Sequence, residues 1–213
     1  MVNLLLSSGV DGDFRPKGVK SPNDLPVVLA ARNAINHGGS GLDTVRTLLS
    51  AGASLRDCGG SSIHLTVQSS INRRASLDTN RNWLKVTKLF LENGSYQTSR
   101  QNWVAVVQDA CLLRDLEYLK MLMKYRPRCR FDSLELQQML HNAVLGRGAK
   151  LTPRSQHHEL VSLLLGRSVD AQGRRRIPRT QLENLRDKAR KRGMIKVVGK
   201  IEEFLRKTRE KTA

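Results

Sequence analysis

The sequence predicts an all-α fold in which short pairs of helices repeat along the chain. An apolar phrase, Val2–Gly9, returns in altered form as Val45–Ala53, Val86–Ser95, Leu119–Arg126 and Val161–Ser168. Its core phrase ends at positions 9, 52, 94, 126 and 168, so the copies are 43, 42, 32 and 42 residues apart. Aromatic residues make up only 4% of the chain, which suits thin aliphatic layers. A short amphipathic helix that recurs at such spacings indicates a solenoid, in which each unit buries its apolar face against its neighbours.

A second pattern, upstream of four of these phrases, predicts the partner helix of each pair. It reads Leu25–Ala31, Ser61–Val67, Ala105–Cys111 and Gln138–Val144. A proline at the first helical position and a serine as N-cap are favourable helix starts. The glycine that follows a second helix is expected to adopt a left-handed backbone conformation. Each unit is therefore predicted to run helix, turn, helix and then a loop to the next unit.

Together the two patterns resemble the ankyrin repeat, in which a Thr-Pro-Leu-His-x-Ala-Ala helix, a Val-Val-x-Leu-Leu-Leu-x-x-Gly-Ala helix and a hairpin finger follow one another. The best local matches are Leu25–Ala31, Ile63–Leu65, Leu140 with His141, Leu48–Ala53 and Leu89–Gly94. The stretch Ala110–Leu119 also matches, with Arg114 where the family usually has glycine. Covering nearly the whole chain, the resemblance implies an ankyrin-like helix-turn-helix solenoid of about five to six irregular repeats.

Irregular spacing predicts loops inserted between the two helices of some units. Only the interval from 94 to 126 fits the family period of about 33 residues without insertion. The extra residues fall around Asn36–Gly41, Ser69–Asn82 and Leu145–His157, which are polar or rich in Gly, Ser and Arg, as surface loops are.

The sequence also suggests two domains. Residues 1–170 are predicted to form the repeat array, and residues 171–213 a basic C-terminal capping repeat. Because the chain opens inside a second helix, we expect it to be a piece of a longer array or an abbreviated one.

Motifs for catalysis, metal binding or cofactor binding are weak. His64 and His141 fall on the Thr-Pro-Leu-His position, where the resemblance implies that the imidazole bridges backbone groups of adjacent units. The His157-His158-Glu159 segment lacks the His-Glu-x-x-His spacing that places two imidazoles on one helix face. Cys111 occupies the small-residue position of a packed helix and is expected to be buried and inert. We therefore expect no enzymatic activity, no metal, no cofactor and no small-molecule substrate.

Cysteine content and hydropathy bear on where the protein works. The chain has three cysteines, too few and too scattered for a disulfide framework, so a reducing intracellular compartment is expected, cytoplasmic or nuclear. No apolar run approaches the roughly 18 residues that span a bilayer, so no membrane association is expected.

The net charge of +18 is distributed unevenly. Residues 1–150 contain 20 basic and 12 acidic side chains, whereas residues 151–213 contain 17 and 7. A basic C-terminal segment on a less charged body predicts an anionic partner or a nuclear-import signal, with a solvated terminal cap as the alternative.

These observations lead to two hypotheses of function. The first is a non-catalytic scaffold that binds a protein, with an acidic surface, through its fingers and concave first helices. Its candidate contact residues are Arg15, Lys17, Lys20, Arg56, Asp57, Arg128 and Arg130, with the basic triplet 174–176. The alternative is a nucleic-acid-associated protein that contacts the phosphate backbone through region 174–192. Its candidate residues, which also suit an import signal, are Arg174, Arg175, Arg176, Arg179, Lys188, Arg190, Lys191 and Arg192.

Overall fold

All regular secondary structure in the described part of the chain is helical, which confirms the all-α class. The computed structural model describes residues 25–37, 39–53, 55, 82–94, 99–145, 156–170 and 173–209. Within these ranges there are nine helices. They are α1 (Pro26–His37), α2 (Gly39–Ser50), α3 (Asn82–Glu92), α4 (Arg100–Leu113), α5 (Leu116–Tyr125), α6 (Ser133–Leu145), α7 (His157–Arg167), α8 (Arg179–Lys191) and α9 (Ile195–Arg209).

The two sequence patterns coincide with helices wherever the structure describes them. The repeated apolar phrase lies on α2, α3, α5 and α7, and the upstream pattern lies on α1, α4 and α6. Helix α1 begins at Pro26, as its position in the pattern predicts. Gly52 and Gly94, which follow α2 and α3, have φ angles of 88° and 89°. The predicted left-handed caps are therefore confirmed at both positions, while the copies at Val2–Gly9 and Ser61–Val67 lie outside the described residues.

The expected surface loop at Asn36–Gly41 is wrong. Helix α1 continues to His37 and α2 already begins at Gly39. Gly41 is buried on α2, and a Cβ atom built there would collide with the backbone of Ala34 on α1. The absence of a side chain at Gly41 therefore allows α2 to pack closely on α1, and a segment that reads as a polar loop becomes part of a helix contact.

The chain divides into two compact units, residues 1–106 and residues 107–213. In the first unit α1, α2 and α3 contact one another. Their shared core is aliphatic and aromatic, and its fully buried side chains include Val27, Val45, Val86 and Phe90. The predicted boundary near residue 170 stays a prediction, because nothing in this division tests it.

In the second unit the helices are arranged as consecutive pairs. Helix α6 contacts α7, and α8 contacts α9. Between pairs, the first helices α6 and α8 touch, and the second helices α5, α7 and α9 touch in chain order. The buried side chains that join them are mainly aliphatic: Leu119, Leu122, Leu136, Met139, Leu140, Val144, Leu160, Val161, Leu164, Leu182, Val197 and Ile201. Each pair therefore buries its apolar face against the pairs next to it.

The turn between α4 and α5 and the turn between α8 and α9 share one geometry. After α4, the N–H groups of Arg114 and Asp115 donate to the carbonyls of Cys111 and Ala110. After α8, the N–H groups of Gly193 and Met194 donate to Arg190 and Ala189 in the same pattern. Both turns thus end their helices with the bonds of a Schellman motif, and the left-handed residue is Arg114 in one (φ 56°) and Gly193 in the other (φ 68°).

Asp115 starts the helix that follows the first of these turns. Its carboxylate is completely buried and accepts a hydrogen bond of 3.0 Å from the N–H of Tyr118. The same residue therefore closes the turn after α4 with its backbone and caps the N-terminus of α5 with its side chain.

None of the helices in the described ranges combines the length and the apolar character that crossing a membrane requires.

Replacing Asp115 by alanine is expected to lower the free energy of unfolding by about 1–2 kcal/mol, because it leaves a buried N–H without an acceptor. Asp115→Asn should cost less, since the amide oxygen still accepts. Urea unfolding followed by circular dichroism measures both changes. Asp43→Ala, which removes an exposed ion pair with Arg46, serves as control and should change stability by less than about 0.5 kcal/mol. An Asp115→Ala protein as stable as the control would contradict the assigned cap.

Candidate functional site

The connection between α7 and α8 is a short hairpin built around basic residues. Val169 and Arg175 form an antiparallel bridge pair, and the N–H of Arg176 donates to the carbonyl of Ser168 at 2.7 Å. At the tip, the N–H of Asp170 donates to the carbonyl of Arg174 at 2.9 Å. The sequence placed a finger at this position, and the backbone does form a hairpin that carries the basic triplet 174–176.

The connection between α5 and α6 is a tight turn that ends in a capping box. The N–H of Cys129 donates to the carbonyl of Arg126 at 3.2 Å, which folds the turn back on itself. The N–H of Asp132 then donates to the carboxylate of Glu135 at 2.7 Å, and the N–H of Glu135 donates to Asp132 at 2.8 Å. This reciprocal pair satisfies donors at the start of α6 and fixes where the turn ends.

Two arginine side chains tie these connections together. The guanidinium of Arg176 in the hairpin donates to the carbonyl of Phe131 at 3.1 Å. The guanidinium of Arg167, at the end of α7, donates to the carbonyl of Pro127. The two connections therefore lie side by side. Their relative position is fixed by the guanidinium groups of Arg167 and Arg176, which donate to backbone carbonyls of the connection between α5 and α6.

A groove of about 310 Å³ runs between the two connections. The described residues that line it are Pro127, Arg128, Cys129, Arg130, Phe131, Gly166, Arg167, Val169 and Arg176. Four of these nine residues are arginines and none is acidic. We call the arginines at positions 128, 130, 167, 174, 175 and 176 the basic turn surface.

The guanidinium groups of the basic turn surface differ in what they contact. Arg174 is neutralised by Asp170, whose carboxylate lies 3.0 Å from the guanidinium. Arg128 and Arg130 are exposed. The Nη1 atom of Arg175 is buried without a hydrogen-bond partner in the described structure. A buried donor without an acceptor costs free energy. A carboxylate or a water molecule that accepts a hydrogen bond from this Nη1 atom would therefore be stabilising.

The second predicted basic cluster is divided by internal ion pairs. Arg179 pairs with Glu183 at 2.7 Å, and Arg190 pairs with Glu202 on α9 at 2.8 Å. Arg192 donates to the carbonyl of Leu145 at 3.1 Å. Lys188 and Lys191 are exposed on α8. The charges of region 174–192 are therefore distributed among several separate partners instead of forming one continuous patch.

The face formed by the first helices α6 and α8 carries a shallow polar recess. It has a volume of about 50 Å³ and is lined in part by Gln137, His141, Gln181 and Lys188. His141 is exposed, and no hydrogen bond joins its imidazole to the described residues. The backbone bridge that the ankyrin resemblance implies for this histidine is therefore not formed within that part of the chain, because the side chain faces solvent and not the next layer. His64 lies outside the described residues.

Several candidate residues fall where the structure gives no description. Arg15, Lys17, Lys20, Arg56 and Asp57 all lie outside the described residues. Conversely, Arg167, whose guanidinium fixes the two connections together, was not among the residues predicted from the sequence. A basic residue in the last turn of a helix is a visible signal, but it is normally explained by the negative end of the helix dipole.

The candidates for chemistry are consistent with structural roles. Cys111 is fully buried, and desolvation followed by the nearby charge of Asp109 raises the pKa of its thiol. The expectation that Cys111 is buried is therefore confirmed, and a thiol with a raised pKa is a poorer nucleophile. The described residues contain no group of three or more His, Cys, Asp or Glu side chains placed to hold a metal ion.

Comparisons of the chain with family models, with curated proteins and with solved structures return no match.

Arg176→Gln is expected to loosen the hairpin, because it removes the guanidinium that donates to Phe131. Amide hydrogen exchange at residues 173–176 should become faster, and the free energy of unfolding should fall by about 1 kcal/mol. Arg174→Gln is the matched control: it removes the same charge from an ion pair that is largely exposed and so should cost less than about 0.5 kcal/mol. Equal exchange rates in the two variants would contradict the role of Arg176 as the link between the connections.

Proposed function

We propose that this protein is a non-catalytic scaffold of the ankyrin-repeat type that binds a protein partner through the basic turn surface and the adjoining first helices. The observation that carries the proposal is the fixed pairing of two neighbouring connections by Arg167 and Arg176. A surface that is already ordered loses little conformational entropy on binding, which is the property expected of a scaffold.

The arrangement of the helices supports a repeat scaffold. Second helices α5, α7 and α9 contact one another in chain order, and so do first helices α6 and α8. Nearest-neighbour contact between successive pairs is characteristic of solenoids. A hairpin between α7 and α8 is also what the ankyrin resemblance implies for the connection between units.

The chemistry of the groove favours an acidic partner surface. Guanidinium groups bind carboxylates through two parallel hydrogen bonds, and the lining offers four arginines with no acidic side chain. Phe131, the one aromatic residue in the lining, is 3% exposed. Nucleic-acid grooves commonly add exposed aromatic rings for base stacking, so the groove fits Asp and Glu side chains better than bases.

The alternative function, backbone contact with nucleic acid through residues 174–192, has less support. Arg174, Arg179 and Arg190 each form an ion pair with an acidic residue of the chain. Contact with phosphates would require these pairs to open, which offsets part of the electrostatic gain. Lys188 and Lys191 are the residues on which this alternative depends most.

Two double charge reversals distinguish the proposals. R128E/R130E changes the basic turn surface, and K188E/K191E changes α8 by the same number of charges. We expect affinity purification from nuclease-treated extract to recover a set of partner proteins with wild-type protein and K188E/K191E, and to lose it with R128E/R130E. Quantitative mass spectrometry measures the recovery, and circular dichroism checks that each variant is folded.

Nucleic-acid binding is measured separately by fluorescence anisotropy with generic RNA and DNA duplexes at about 50 and 200 mM salt. The scaffold proposal expects weak binding at both salt concentrations. Submicromolar binding that falls steeply with salt and is lost in K188E/K191E would overturn it in favour of the alternative.

A further inference from the structure

A second and larger cavity lies at the other end of α7 from the basic turn surface. Its volume is about 570 Å³. Whereas Gly166 and Arg167, at the end of α7, line the groove described above, His157, at the start of α7, lines this cavity. The described residues that line it are Arg114, His157, Arg192, Gly193, Met194, Ile195, Lys196 and Val197.

Positive charge is concentrated in this cavity. Three of the eight lining residues, Arg114, Arg192 and Lys196, are basic, and none is acidic. Arg114 donates to the carbonyl of Val144 and Arg192 to the carbonyl of Leu145, both at 3.1 Å, so two guanidiniums meet at the C-terminus of α6. Burial, and then the charge of Arg192, lower the pKa of Arg114.

Two helix N-termini also open onto the cavity. Helix α7 begins at His157, and its N-cap residue Gln156 makes no side-chain capping bond, but its first turn contains Glu159. Helix α9 begins at Ile195 and has no acidic residue in its first turn. By contrast, the neighbouring α5 is capped by its own carboxylate, Asp115. Glu159 offsets the positive end of α7, so the N-terminus of α9 is the one that adds to the charge of the three basic side chains.

The left-handed backbone conformation of Arg114 is a second observation, independent of charge, that indicates a role for its side chain. Arg114 has a φ of 56°, in the left-handed region, and is the one residue other than glycine with a positive φ among the described residues. Gly193 occupies the equivalent place in the turn after α8 with φ 68°. Glycine adopts this conformation without steric cost, whereas arginine does not. Strain of this kind is concentrated at functional sites, where the side chain compensates for it.

We propose that this cavity binds a small, multiply charged phosphate compound, held by Arg114, Arg192, Lys196 and the N-terminus of α9. Phosphate oxygens accept paired hydrogen bonds from guanidinium groups and single ones from helix N-terminal N–H groups. The volume lies within the range of small-molecule sites, about 300–1,000 Å³, and exceeds what one chloride or one carboxylate fills. A ligand with several adjacent phosphates matches both the space and the number of cationic groups.

This site is separate from the basic turn surface, and the proposal does not rest on the scaffold function. A ligand bound here would bridge the turn after α4, the start of α7 and the turn between α8 and α9. It would therefore stabilise three consecutive helix pairs against separation. Different residues form the two proposed sites. A failure of the phosphate proposal would therefore say nothing about partner binding at the basic turn surface, and the reverse also holds.

Isothermal titration calorimetry of the full chain with inorganic tripolyphosphate, at constant ionic strength, tests the proposal. We expect saturable binding with one site per chain, and R192Q should weaken it about tenfold or more. R114G should weaken it similarly while keeping the turn, because glycine adopts the left-handed conformation without strain. R128Q removes the same charge from the basic turn surface and should change Kd by less than about twofold.

Two outcomes would overturn the proposal. One is the absence of saturable binding to wild-type protein. The other is that R128Q weakens binding as much as R192Q and R114G do, since the heat would then report general attraction to a basic protein. Circular dichroism identifies any variant that fails to fold, and K196Q replaces it in the comparison, because Lys196 is exposed and donates no hydrogen bond to the described residues.

Discussion

The structure of residues 107–213 depends on one constraint, namely that a two-helix unit cannot bury its apolar face alone. Helix α6 has Leu136, Met139, Leu140 and Val144 buried, and it contacts both its own partner α7 and the first helix α8 of the next pair. With roughly 25 cal/mol gained for each Å² of apolar surface removed from water, contact between successive pairs is a main source of stability. Because of this constraint, successive pairs pack against one another in chain order. The connections lie at the two ends of the helices.

Because the helix faces are used for packing, both proposed binding sites lie at connections between helices. At one end of α7, Arg167 and the hairpin present guanidinium groups around a groove; at the other end, Arg114, Arg192 and Lys196 surround a cavity. In both places arginine side chains donate to backbone carbonyls of a neighbouring segment, and we propose that the same guanidinium groups bind an anion.

Periodicity predicted most of the helices but few of the site's contacts. Val161–Ser168 and Gln138–Val144 could be assigned because apolar residues recur at helical spacing, which local sequence encodes. The loop assignment at Asn36–Gly41 failed, because the close approach of Gly41 to Ala34 is a tertiary contact that composition does not reveal. Arg114 was noticed as a departure from the family pattern, but its partner Val144 lies 30 residues away in the sequence. Periodicity gives no information about contacts between residues so far apart. For the same reason, the pairing of Arg190 with Glu202 was not foreseen.

Hydrogen exchange measured by mass spectrometry on the full chain tests most directly whether successive helix pairs stabilise one another as neighbours. The informative variant is Ile201→Val, which removes one methylene from a fully buried position on α9 and should cost about 0.5–1.5 kcal/mol. The account predicts the largest loss of protection in α8 and α9, a smaller loss in α6 and α7, and the smallest in α5. An equal loss throughout residues 107–213 would contradict it, because the unit would then unfold as one indivisible core.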